Sequence, residues 1–163
     1  MTSHASELAI RVAIHLALQP PGKLSPIRQI AAAAGLPAAY LAKIMRLLVR
    51  AGLVRALRGP GGGVELSRPS DSISLSALVR AVEGKTQAEC CIMSMDACSE
   101  SQPCLLHSQW GPLRAEILRL LDETSLDMLV PAAQGKRGQV PEAVRVSAEA
   151  TPQAKARKGQ NLS

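Results

Sequence analysis

Beyond Ser6, the only polar positions up to Leu18 are Glu7, Arg11 and His15, spaced i, i+4 and i+8. They form one stripe on an otherwise apolar cylinder, which predicts a helix over about Ser6–Leu18 that needs cover on most sides, a second subunit included. Pro20-Pro21-Gly22 ends it. Ser25-Pro26 reads as N-cap and first residue of a short helix through Ala34, terminated by Gly35. Pro37 opens a third helix that Gly52 stops. Leu41, Ile44, Met45, Leu48 and Val49 make its inner face, and Tyr40, Lys43, Arg46 and Arg50 its outer side. Two short helices joined by a Gly-containing turn, the second with a basic face, predict a helix-turn-helix.

Leu53–Leu57 and Val64–Ser67 are short strand candidates flanking Arg58-Gly-Pro-Gly-Gly-Gly63. Helix-turn-helix followed by a glycine-tipped hairpin is the order of a winged helix. Ser74 caps a further helix through Glu83, closed by Gly84, and an irregular cysteine-bearing stretch follows from about Lys85 to Cys104. Leu106, Trp110, Leu113, Ile117 and Leu120 then repeat at the 4-3-4-3 spacing of a helical seam. Gly111-Pro112 interrupts that helix, predicting a kink near Trp110 or a new start at Pro112. A last turn, Thr124–Val130, precedes Pro131. The fold class expected is mainly α with a small β-hairpin wing, divided into a winged helix at 1–84, a cysteine-rich loop at 85–104, a long helix with its terminal turn at 105–130, and a tail at 131–163. The tail lacks periodicity and is expected to be disordered and basic.

Composition supports the helical reading. The 163 residues include no Phe, one Tyr and one Trp, so Leu, Ile, Val and Ala must fill the core, which argues against a β-sandwich. Tyr40 and Trp110 are too far apart to build a stacking platform for single-stranded nucleic acid. No apolar run reaches the roughly 20 residues of a membrane span, and the N-terminus lacks the marks of a signal peptide. A cytoplasmic protein with reduced thiols is the expectation.

The net charge of +6 conceals a segregation. Residues 1–70 carry nine Lys or Arg against Glu7 and Glu65, residues 71–130 have a balance of −5, and residues 131–163 a balance of +4. A basic first block is the footprint of a polyanion binder. The glycine hairpin, with Gly61 at its tip, allows close backbone approach and can lie in or beside a minor groove with Arg58 inserted; the alternative is a simple flexible turn. It is neither a P-loop nor a dinucleotide fingerprint, because no Gly-Lys-Ser/Thr follows and it joins two strands. Lys43 can donate to guanine O6 or N7, while Tyr40 can reach a phosphate or sugar. Arg46 and Arg50 are candidate phosphate contacts, although for each alone a solvated helix face is the better reading, since phosphate contacts need only some of the available charges.

Cys90, Cys91, Cys98 and Cys104 fall within fifteen residues of a chain with no other cysteine. Six residues separate Cys91 from Cys98 and five separate Cys98 from Cys104, unlike the tight knuckles of structural zinc sites. Three thiolates on a long loop suit an iron–sulfur cluster, with zinc or a metal-free thiol sensor as alternatives. His107, three residues after Cys104, and Glu7, from a second subunit, are candidate fourth ligands. Each also has an ordinary structural reading, Glu7 as an i, i+4 partner of Arg11. No Ser-His-Asp or paired-carboxylate arrangement stands out, so an enzyme is not expected.

The sequence Leu53-Val-Arg-Ala-Leu-Arg-Gly-Pro-Gly-Gly-Gly63, with Ile73-Ser-Leu, Ala81-Val-Glu-Gly84, the cysteine stretch, Cys104-Leu-Leu-His107 and Thr124-Ser-Leu-Asp-Met-Leu-Val130, resembles the IscR/NsrR-type (Rrf-two) family of bacterial winged-helix iron–sulfur regulators over about residues 1–130. The resemblance implies a homodimer with a long C-terminal dimerisation helix and a cluster near the subunit boundary that alters affinity for double-stranded DNA. It places Cys91, Cys98 and Cys104 as cysteine ligands, His107 as the histidine of one branch and Glu7 as the carboxylate of the other. Tyr40, Lys43 and Arg58 fall in its DNA-contacting helix and wing. Two departures stand out: the first cysteine gap is one residue longer than the commonest pattern, and Cys90 adjoins Cys91. A 2Fe–2S and a 4Fe–4S cluster both stay open. The expected function is a repressor that senses nitric oxide, oxidants or iron–sulfur status, with a cluster-free thiol regulator, or less readily a thiol oxidoreductase or cluster carrier, as rivals.

Overall fold

Ser3 decides where the chain starts its first helix. The computed structural model describes residues 3–85 and 101–135, and in it the Ser3 hydroxyl accepts from the Ser6 N–H, capping α1 (His4–Ala17) two residues earlier than the apolar pattern implied. α1 buries Leu8, Ala9, Val12, Ala13 and Leu16. α2 (Ile27–Ala33) and α3 (Ala38–Arg50) form the helix-turn-helix. Both are opened by a proline, Pro26 and Pro37, with no side-chain cap. Leu41, Ile44, Met45 and Leu48 of α3 are buried, but Val49 is 38% exposed, because it lies off the centre of that inward stripe.

The wing is β1 (Val54–Leu57) paired antiparallel with β2 (Gly63–Leu66), with Val54 opposite Leu66 and Leu57 opposite Gly63. It has an unexpected third rung. Ser25 is not the cap of α2; its N–H donates to Val64 O at 3.0 Å and its carbonyl accepts from the Val64 N–H at 2.9 Å. The backbone groups that a cap would leave to solvent are spent on the hairpin, which fixes the wing to the entrance of α2.

A 3-10 turn at Ser70–Ser72 leads to α4 (Leu75–Glu83), capped by Ser74 and ended by Gly84 at φ +79°. The chain resumes in α5 (His107–Glu123) and α6 (Leu126–Gly135). No new helix begins at Pro112, and α6 passes through Pro131, so residues 131–135 are helical rather than tail. In each case the carbonyl deprived of its donor belongs to an exposed residue, Ser108 or Asp127, where water can satisfy it. The expectation for the tail beyond residue 135 lies outside the described residues.

Two backbone bonds return α6 to the start of α4: Leu75 N–H to Thr124 O at 2.9 Å and Leu126 N–H to Ile73 O at 2.8 Å. Leu126 is thereby fully buried in one core with Leu8, Val12, Leu41, Ile44, Val64 and Leu78. Burying a leucine contributes roughly 1.5–3 kcal/mol, so α6 is structural for the N-terminal half. α5 buries no residue of its own. Leu113, Ile117 and Leu120 of its apolar row are 54%, 40% and 64% exposed. The architecture is the mainly helical winged helix-turn-helix that the pattern predicts.

Candidate functional site

Helix α3 presents its charge where a double helix can reach it. Lys43, Arg46 and Arg50 are exposed and lie at i, i+3 and i+7, hence on one side of the helix, opposite the buried Leu41, Ile44, Met45 and Leu48. Among the described residues none of these three cations, nor Arg58, is held in a hydrogen bond or ion pair. Arg55, by contrast, is paired across the hairpin with Glu65 at 2.9 Å, which leaves Arg58 as the wing cation nearest the tip. Tyr40 is not on the outward stripe. It is half-buried and packs against the core at the flank of α3. The outward position in the first turn is Ala39, one turn before Lys43. Counting back by four from Lys43 would have found it.

The wing tip is a built turn. The Gly62 N–H donates to Gly59 O at 2.9 Å, with Pro60 and Gly61 between them and Gly61 at φ +77°, the pattern of a type II turn. A Cβ on Gly62 would stand 2.4 Å from Leu57 O, and one on Gly63 would stand 2.7 Å from the Ser25 carbonyl. Gly62 and Gly63 are therefore required by the protein's own backbone, and the tip is a shaped projection rather than a loose loop.

Of the proposed cluster ligands, Cys104 and His107 lie among the described residues and Cys90, Cys91 and Cys98 lie outside them. Cys104 and His107 are half-buried at the head of α5, where the His107 N–H donates to Cys104 O at 3.0 Å. Among the described residues no three His, Cys, Asp or Glu side chains gather for a metal. Glu7 faces Arg11 and lies 3.7 Å from His4 Nδ1, so within one chain its carboxylate is engaged on α1.

A carboxylate that the sequence reading passed over ties these regions together. Glu83, the last residue of α4, accepts from the Ser3 N–H at 2.8 Å and from the fully buried Ser6 hydroxyl at 2.6 Å. Burial works against its charge, but the hydrogen bonds from Ser6 and Ser3 outweigh it and hold Glu83 below the usual glutamate range. The head of α1, with Glu7 in its first turn, is thus locked to the residue that precedes the cysteine segment. His15, also on α1, is pushed below its ordinary value by burial and secondarily by Lys23.

The profile of the Rrf2 family, described as an iron-dependent transcriptional regulator, matches residues 2–132. The chain belongs to the Rrf2 family. An Rrf2 relative, the transcriptional regulator IscR of Aliivibrio salmonicida, is 31% identical over 122 residues, 75% of this chain and 72% of its own. Among solved structures, CymR, the global cysteine regulator of B. subtilis, superposes with a TM-score of 0.68 at 25% identity, covering 81% of this chain and 97% of its own. IscR of T. potens gives 0.65 at 26%, covering 85% and 93%. As an Rrf2 protein the chain is a transcriptional regulator of a DNA-binding family and not an enzyme. Among the described residues no helix is long and apolar enough to cross a membrane.

Proposed function

We propose that this Rrf2 protein is a cytoplasmic homodimeric repressor that grips a pseudo-palindromic operator through α3 and the Gly59–Gly63 wing, and that an iron–sulfur cluster sets that grip. The observation that carries the DNA reading is the exposed row Lys43, Arg46, Arg50, free of internal partners among the described residues, on the same winged helix as Arg58 beside the hydrogen-bonded turn at the wing tip. The uncovered apolar row of α5 supports a second copy as its partner.

The donor chemistry at the head of α5 fits such a cluster. A thiol and an imidazole stand one turn apart there, half-buried, and soft sulfur with imidazole suits iron. Cys98, Cys104 and either Cys91 or Cys90 would be the cysteine ligands, completed by His107 or by Glu7 of the partner subunit. When bound, the group supplies an iron centre reactive toward nitric oxide and oxidants. The chain's own part is mechanical. Cys104 and His107, as ligands, would be held together at the start of α5. Glu83, held by Ser3 and Ser6, ties the head of α1 to the end of α4, so a change in the cysteine-bearing region would be passed to α1 and to the separation of the two recognition helices in a dimer.

Purification without air, followed by iron and sulfide analysis and operator titration before and after nitric oxide, tests this. Iron and labile sulfide in the protein, with affinity that changes on nitric oxide, is the expected result. Metal-free or zinc-only protein with unchanged promoter recognition overturns it. Similarity to a cysteine regulator and to an oxidised form of Staphylococcus aureus CymR supports a second reading, reversible oxidation of Cys90 or Cys91 without metal. That reading predicts release of DNA by peroxide from metal-free protein.

A further inference from the structure

The outward stripe of α3 has an unusual chemistry. Ala39, Lys43, Arg46 and Arg50 succeed one another along the exposed side, and α3 contains no Ser, Thr, Asn, Gln, Asp or Glu anywhere between Ala38 and Arg50. Lys and Arg donate hydrogen bonds and accept none, and alanine offers a methyl group. Tyr40 carries the one oxygen acceptor among the side chains of the helix and lies half-buried at the flank, and the weakly accepting sulfur of Met45 is buried in the core. The face available to a major groove therefore consists of donors and methyl groups.

That restricts what it can read. In the major groove guanine presents two acceptors, N7 and O6, and thymine presents O4 with a 5-methyl group, whereas cytosine presents only an amino donor and adenine sets an amino donor beside a single N7 acceptor. A donor-only face has nothing to pair with those amino groups, and the bidentate amide that recognises adenine is missing. In a helix-turn-helix the first turns of the second helix contact base edges, and here they hold Ala39 and Lys43. Arg46 and Arg50, further along, are placed for phosphates.

We propose that α3 reads keto edges: Lys43 donates to guanine O6 and N7, and Ala39 packs against a thymine 5-methyl, with no readout of adenine or cytosine amino groups by this helix. This rests on the DNA-binding role proposed above. Lys43 and Ala39 are its specificity-determining residues.

The test begins with duplexes selected from a randomised pool by the full-length protein in its purified state. Each guanine of the selected half-site is replaced in turn by 7-deazaguanine and each thymine by uracil, and affinities are measured for the wild type, Lys43→Met and Ala39→Gly. One 7-deazaguanine is expected to weaken wild-type binding about tenfold, and Lys43→Met to abolish that difference. One uracil is expected to weaken it about fourfold, the value of one buried methyl, and Ala39→Gly to abolish that difference. Each comparison is a ratio within one protein, so a general loss of stability does not mimic it, and Ala39→Ser serves if the glycine variant does not fold. A selected duplex insensitive to both replacements, or sensitivities unchanged in the variants, overturns keto-edge reading and leaves DNA binding intact. Failure to enrich any duplex overturns the DNA-binding role and this inference with it.

Discussion

Gly63→Ala probes the joint between wing and helix-turn-helix. An added methyl would lie 2.7 Å from both the carbonyl carbon and the oxygen of Ser25 and 3.0 Å from Pro26 N. That is roughly 0.8 Å inside a comfortable carbon contact. The neighbours are backbone, so relief requires the hairpin to move away from Ser25. The two bonds between Ser25 and Val64, at 3.0 and 2.9 Å, are then lost or stretched. Each is worth about 1 kcal/mol net, and residual crowding adds on the order of 1 kcal/mol, giving a loss of about 2–3 kcal/mol. Gly61→Ala is the control, since a Cβ there meets open space and only the positive φ is strained, at a cost of about 1–2 kcal/mol. Equilibrium urea unfolding at fixed protein concentration reads both. If Gly63→Ala costs less than Gly61→Ala, the wing is not clamped as argued.

Arg58→Ala should reduce the slope of log affinity against log salt by about 0.9, the contribution of one phosphate contact, and an unchanged slope removes Arg58 from the interface. Glu83→Ala should cost about 1–3 kcal/mol, because the buried Ser6 hydroxyl loses its acceptor. The native pKa of Glu83 lies below its unfolded value, so its contribution is complete above the ordinary carboxylate range and fades as pH falls through the native value. Glu83→Gln should accordingly flatten the acid limb of a stability-against-pH curve, and an unaltered limb counts against the lock. The hydroxyl of Ser76 is buried without a partner among the described residues, so Ser76→Ala should be neutral or stabilise by up to about 1 kcal/mol; a clear loss in thermal melting would contradict that.

The helices and the hairpin were legible because their signals are local: apolar spacing in α1 and α3, Ser74 before α4, glycines at the wing. What escaped depends on partners distant in sequence. Ser25 has a good capping side chain, but its backbone is claimed by Val64, thirty-nine positions on, which no local pattern announces. Tyr40 reads as outward from its polarity, whereas its ring packs against the core and Ala39 takes the outward place. Proline rules stopped the last helix at Pro131, although an exposed Asp127 carbonyl tolerates the missing donor. Glu83 drew no attention because its partners, Ser3 and Ser6, stand about eighty residues away. For the cluster ligands the sequence remains the fuller guide, since only Cys104, His107 and Glu7 fall among the described residues.

The burial of Leu126 beside α1, in the one core that also holds residues of α3 and the wing, means that the reading head would lose stability if cut from this protein and carried elsewhere as a cassette. A fragment ending at residue 85 would face water with a hole where that leucine sat. Whatever displaces α6 therefore reaches α1 through that leucine, and substitutions in either helix must answer for their effect on the other.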